Sequence, residues 1–312
     1  DRVRAMTELS VRKRKKSVNR GDLIFYCLMM IWPVLQFSVF YIATKVNSIL
    51  YSFQSFDVLT GSVTWTTSHL STAFKMMTKS AEFRSMMQVT LQSFALTVGI
   101  GTPLGILFSY YISKKMAGSR LFRVVLFLPS IISAIVMVSM YQFFVEQALP
   151  ELVFRMTGER VKGLIENPDT RFGTIMFYNI WVSFGVNVLM YSNSMSAIPA
   201  DVIEAAKIDG VSAVKEFFYV SLPMVYPTIV TFLITAVATM FTNQYNMYSF
   251  YGSSSPAGTA NYGYYFFNVT QAAESRAEYS TISAMGLYLT AIALPLTLGV
   301  RYLLNKFGPS EE

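Results

Sequence analysis

Apolar residues in this chain fall into long runs, with polar and charged residues gathered in the connections. Six stretches, 23–43, 87–112, 122–145, 173–197, 224–245 and 280–304, are mainly apolar and each reaches the length of about 20 residues that a helix needs to cross a bilayer core of about 30 Å. None keeps the strict alternation of a half-buried strand. A helix is the expected form, because in lipid every backbone N–H and C=O must find its partner within the segment. The pattern therefore predicts an all-α integral membrane protein of about six spans, with both ends on one side. The connections opposite those ends are long, roughly 40, 27 and 34 residues, which predicts structure of their own or contact with a partner.

Composition agrees with lipid as the solvent. The 312 residues are 53% hydrophobic and only 14% charged, against about 25% charged in soluble domains. The net charge of +7 is unevenly placed: Arg2, Arg4, Arg12, Lys13, Arg14, Lys15, Lys16 and Arg20 all precede Gly21. Short cytoplasmic loops are rich in Lys and Arg. The connection after the second span adds Lys114, Lys115, Arg120 and Arg123, and the same side gains Lys207, Lys215, Arg301 and Lys306. This distribution predicts both ends in the cytoplasm. It also accounts for the basic charge without nucleic acid, for which no aromatic or Gly-rich recognition pattern is present. The first apolar run is too long for a signal peptide and has no Ala-x-Ala site after it, so it is expected to remain as an anchor.

Chemistry is scarce. Cys27 is the single cysteine and His69 the single histidine, so no disulfide framework, CxxC pair or HExxH zinc site exists. No GxxxxGK[ST] loop is present to cradle phosphates, and no nucleophile elbow or Ser/His/Asp set appears. No enzyme activity and no cofactor are expected in this chain. The spans hold almost no charge, and residues 217–273 hold none. That weakens a proton-coupled carrier, which keeps an acid or histidine at mid-membrane. A self-sufficient ion-coupled carrier or channel for a neutral solute stays open as the alternative, because backbone carbonyls at helix breaks can bind sodium.

Uncharged polar residues recur at helical spacing. Asn179, Ser183, Asn187, Tyr191 and Ser194 fall within about 120° of arc on the fourth span, at 100° per residue. Thr228, Thr231, Thr235, Thr239, Thr242 and Asn246 line a narrower arc on the fifth, and Asn243 lies beside them. Two such faces suit a neutral polyhydroxyl solute, with amides and hydroxyls hydrogen-bonding it. The competing reading is that these hydroxyls bond their own helix or pack against neighbours. Gly101-x-x-x-Gly105 predicts close helix approach, and the aromatics from Tyr245 to Tyr265 are expected as an interfacial belt or an outer gate.

Between the fourth and fifth spans the sequence reads Ile198-Pro199-Ala200-Asp201-Val202-Ile203-Glu204-Ala205-Ala206-Lys207-Ile208-Asp209-Gly210. It predicts a short helix with a capping box from Asp201 to Glu204, stopped by a left-handed Gly210. Ser212 is placed to cap the next helix. Small side chains at Ala205 and Ala206 suit close docking into another protein.

Glu204-Ala205-Ala206, three residues, Gly210, nine residues and Val220-Ser221-Leu222-Pro223 resemble the EAA signature of binding-protein-dependent ABC importer permeases, with Val220 in place of Ile. Ile31-Trp32-Pro33, Leu128-Pro129 and Ser255-Pro256-Ala257-Gly258-Thr259 look like the maltose and glycerol-3-phosphate type of sugar permease. The resemblance covers roughly residues 24–305. It implies the type I importer permease fold and a heterodimer with a second permease chain. It further implies two separate ATPase subunits that bind ATP and Mg, and an extracellular solute-binding protein that delivers a carbohydrate. Asp201, Glu204, Ala205, Ala206, Asp209, Gly210, Leu222 and Pro223 would then form the ATPase-coupling segment within 198–223. The expected organisation is a basic cytoplasmic tail over 1–22, a permease domain over 23–307 and a short tail over 308–312.

Overall fold

The computed structural model describes residues 20–57, 60–273 and 276–309. The basic tail up to residue 19 and the last three residues of the C-terminal tail lie outside the described residues. The chain divides into two compact units at Tyr51 and Ser52. Among the described residues the first contains one helix, α1 (Leu23–Tyr51), with a π-helical turn at Ser38–Ala43. Its apolar side chains are exposed.

The second unit opens with an antiparallel hairpin, β1 (Gln54–Phe56) and β2 (Val63–Trp65), in register Gln54 to Trp65 and Phe56 to Val63. Helices α2 (Ser68–Lys79), α3 (Ala81–Ser113), α4 (Ser119–Ile131), α5 (Ala134–Thr157) and α6 (Pro168–Ser196) follow. Then come α7 (Ala200–Ile208), α8 (Ala213–Thr239), α9 (Met247–Tyr251), α10 (Tyr262–Ala272) and α11 (Arg276–Phe307). Helices α1, α3, α6, α8 and α11 are long and apolar enough to cross a membrane. The pair α4 and α5 makes a sixth crossing only if counted together, because the two meet at 102°.

That bend divides the helix expected over 122–145 into two. Pro129 lacks the N–H that would close the last turn of α4. Ile132 and Ser133 then take extended backbone, with ψ of 144° and 134°, and redirect the chain. Prolines also mark other irregularities. Among the described residues, three of the four π-helical turns, Thr97–Gly101, Phe144–Ala148 and Phe217–Ser221, end two residues before Pro103, Pro150 and Pro223. A proline ring collides with the carbonyl four residues back, and each of those carbonyls belongs to a residue in the widened turn.

Helix α6 is the axis of the second unit. It starts on Asn167, whose side chain accepts from the Asp169 amide at 3.1 Å, with Pro168 in the first turn, a favoured start. It packs along α3 and α4. Gly105 of α3 faces Asn187 and Tyr191, at 3.6 and 3.7 Å from where a Cβ would stand. At Gly185 the approach is tighter: a Cβ there would overlap the Leu126 carbonyl of α4. The core has three apolar clusters, one of which joins Ile106, Tyr191, Met195, Phe217, Val225 and Ile229 beside the segment leading into and out of α7.

The aromatics from Tyr245 to Tyr265 do not form an exposed belt. Tyr245, Phe250, Tyr262 and Tyr264 are buried in the other two clusters. Phe250 packs edge-on against Tyr178, and Tyr262 packs against Phe83 and edge-on against Phe241, geometries that aromatic pairs prefer.

Candidate functional site

Two places carry the polar chemistry of the second unit. One is α7 and its flanks. Helix α7 begins after Pro199, which has no side-chain acceptor, so the expected capping box is absent. Asp201 sits instead in the first turn, where its charge complements the helix dipole. The far end closes as foreseen: Gly210 has φ of +73°, its amide donates to the Lys207 carbonyl at 3.0 Å, and the Val211 amide donates to Ala206 at 3.0 Å. These are the paired bonds of a Schellman cap. Ser212 accepts from the Lys215 amide at 3.5 Å and starts the next turn.

Of the nine residues in α7 only Ala206 is buried. Glu204, Ala205 and Asp209 are exposed, and Ile208 is 85% exposed. The helix thus leaves small and apolar side chains exposed. Leu222 packs at the edge of the third apolar cluster, and Pro223 lines a cleft with Tyr226, Arg301 and Asn305.

The second place is a cavity of about 440 Å³ in the bend between α4 and α5, walled by α6 and by residues 243–246. Asn179, Ser183, Asn187, Asn243 and Asn246 all line it, with Thr97, Ser130, Tyr178 and Tyr245. No lining side chain is charged. The amides divide by duty. Asn179 is buried and fully engaged: Nδ2 donates to the Tyr245 and Ile175 carbonyls at 2.8 Å each, and Oδ1 accepts from Asn246 at 2.8 Å. It holds Tyr245 and Asn246 in left-handed backbone, with φ of +49° and +56°. Asn187 has no hydrogen-bond partner among the described residues and faces the cavity free.

Three other candidates lie elsewhere. Tyr191 is buried against Phe232, with ring centroids 5.2 Å apart. Thr235 lines the second cleft, and Thr239 is exposed. Thr231, Thr235 and Thr239 each donate to the carbonyl four residues back at 2.8–2.9 Å, the local bonding that competes with a role in solute contact. In α9, burial pushes the Tyr251 phenol up to about 12, so it stays neutral at physiological pH. Among the described residues no group of three or more His, Cys, Asp and Glu side chains stands together to hold a metal.

A polar contact outside both candidate sets joins α3 to the start of α8. Glu216 is buried and paired with Lys114, and the Tyr110 hydroxyl donates to the Ala213 carbonyl at 2.9 Å. Sequence spacing gave no pointer to it, since its partners lie about a hundred residues apart.

Residues 101–309 match the family described as binding-protein-dependent transport system inner membrane component. The chain is 26% identical over 297 residues to the arabinooligosaccharides transport system permease protein AraP of Halalkalibacterium halodurans, covering 89% of this chain and 87% of that one. It is 25% identical over 224 residues to the probable ABC transporter permease protein YesP of Bacillus subtilis, covering 70% of each. The fold superimposes on a bacterial ABC transporter involved in the import of the acidic polysaccharide alginate, with a TM-score of 0.77 at 18% identity over 94% of this chain and 98% of that one.

Proposed function

Because the chain belongs to the binding-protein-dependent transport system inner membrane components, we propose that it is the permease through which a carbohydrate, handed over by an extracellular solute-binding protein, enters the cell. It is a membrane-spanning transport subunit and not an enzyme. The carbohydrate reading is supported by the names of the relatives and by the uncharged, amide-lined cavity, in which sugar hydroxyls would meet amides and two tyrosine rings. Asn187, Asn243 and Asn246 would contact the solute, Ser183 would line its path, and Asn179 would hold the wall in place.

The observation that carries the coupling role is α7: a helix, almost wholly exposed, that bears Glu204, Ala205 and Ala206 and is stopped by Gly210, at the spacing of the EAA signature. In this reading the basic tail over 1–22 and the segment 198–223 lie in the cytoplasm, and the permease domain spans 23–307. A second permease chain pairs with this one, and two ATPase subunits bind ATP with Mg and receive α7 in a cleft. Their closure moves α6 and α8 and switches the cavity between the two sides.

The test is ATP hydrolysis and solute uptake by the complete complex in liposomes, with Glu204→Ala and Gly210→Asp against wild type. Both variants are expected to assemble and to hydrolyse ATP with uptake strongly reduced. Normal uptake in both would overturn the coupling role of α7.

A further inference from the structure

Helices α6 and α8 are joined to α7 through the chain itself, but α3 is not. Movement of α7 reaches α3 along α6, where Ser109 Oγ donates to the Val188 carbonyl at 3.0 Å, and through two sets of contacts nearer α7. One set is the apolar cluster around Ile106, Phe217 and Val225, which can slide. The other is polar and sits at the very end of α3. Lys114, the residue after α3, pairs with Glu216, which is 5% exposed. The same carboxylate accepts from Ser221 Oγ at 3.4 Å. Tyr110, one turn back on α3, donates to the Ala213 carbonyl at 2.9 Å and packs edge-on against Phe217 with centroids 5.0 Å apart. The Lys114 ammonium lies over the Tyr110 ring at 5.2 Å.

An ion pair with a buried carboxylate and a partly exposed ammonium adds little net stability, because desolvation offsets the attraction, but it has one satisfactory geometry. Slip of α3 past α8 by one turn would leave Glu216 buried and unpaired, whereas apolar surfaces would re-pack. We propose that Lys114, Tyr110 and Glu216 form a brace that locks the end of α3 to the first turn of α8, so that α3 follows the coupling segment as one body. This rests on the coupling role of α7 given above. Lys114 and Glu216 are positioning residues: they touch neither solute nor ATPase in this scheme, and they transmit movement.

The experiment uses the complete complex in liposomes and reads the ratio of ATP hydrolysis with and without the solute-loaded binding protein, together with solute moved per ATP. Lys114→Met and Glu216→Gln are each expected to lower both quantities several-fold at normal assembly, and the swapped pair Lys114→Glu with Glu216→Lys to recover much of the loss. A merely structural pair would change yield and leave both ratios unmoved. Wild-type ratios in the assembled single variants, or no recovery in an assembled swap, overturn the proposal. If the charge variants do not assemble, Tyr110→Phe decides: it removes one hydrogen bond, keeps the ring and the ion pair, and is expected to lower the ratios, with unchanged ratios overturning the brace. Absence of ATP-driven uptake in the wild-type complex would instead overturn the permease reading itself.

Discussion

Asn179→Leu and Asn187→Leu are the same substitution on one face of one helix, two turns apart, and the structure separates their effects. Asn179 spends its amide on the protein: two bonds donated and one accepted, all at 2.8 Å. Leucine there leaves the Tyr245 carbonyl without its partner, and a buried orphan costs about 1–3 kcal/mol. The Ile175 carbonyl keeps its helical bond, and the Asn246 amide can turn toward the cavity. Release of Tyr245 from left-handed backbone returns about 1 kcal/mol of strain, so the net loss is about 0–2 kcal/mol, centred near 1 kcal/mol. For a chain of this size a loss of about 1 kcal/mol corresponds to a fall of roughly 2–4 °C in Tm, readable by tryptophan fluorescence of the detergent-solubilised complex. Asn187 has no partner to lose, so its leucine variant is expected to melt within about 1 °C of wild type, since no buried polar group is orphaned. Its solute uptake is expected to fall, because a hydrogen-bonding group is gone from the cavity. If Asn179→Leu melts with wild type, or if Asn187→Leu melts as far below it, the division into strut and contact residue is wrong.

Two glycines give further outcomes. Gly185→Ala drives a Cβ into the Leu126 carbonyl, which must push α4 off α6, so the yield of assembled complex on size exclusion is expected to collapse. Gly173→Ala on the same helix meets nothing within 4 Å and is expected to assemble as wild type. At Gly210 the neighbourhood is open and the constraint is φ of +73° alone. An ordinary side chain there costs about 1–2 kcal/mol, while asparagine tolerates the conformation. Gly210→Asn is therefore expected to retain far more coupled uptake than Gly210→Val; equal losses would show that contact with the partner, not backbone shape, sets the requirement.

The spans were legible because a membrane leaves few choices: runs of apolar residues long enough to cross must be helical. The end of α7 was legible for a local reason, since Gly210 is the residue that takes left-handed backbone without cost. Its start was not, because Asp201 looks like a cap until Pro199 is seen to occupy that position. The break at Ile132 and Ser133 was announced only by Pro129 and Ser130, inside a run that is otherwise apolar on both sides. Three of the π-helical turns were within reach, as Pro103, Pro150 and Pro223 stand two residues beyond them. Polar periodicity brought Asn179, Ser183 and Asn187 to one cavity with Asn243 and Asn246. It went astray at Tyr191 and at the threonines of α8, whose hydroxyls bond their own helix. The Lys114–Glu216 pair depends on how α3 meets α8, which no local pattern encodes.

The central claim is that α7 seats in a separate ATPase, and site-specific crosslinking tests it most directly. Cys27 is the single cysteine and is exposed, so a Cys27→Ser background with Ala205→Cys places one reactive group on the outer face of α7. A thiol-reactive photocrosslinker attached to that cysteine in the purified complex is expected on irradiation to join this chain to the ATPase subunit, with no such product from Ser253→Cys, which lies on the outer side of the membrane in this reading. A complex that hydrolyses ATP and imports solute yet gives no crosslink from Ala205→Cys would contradict the account.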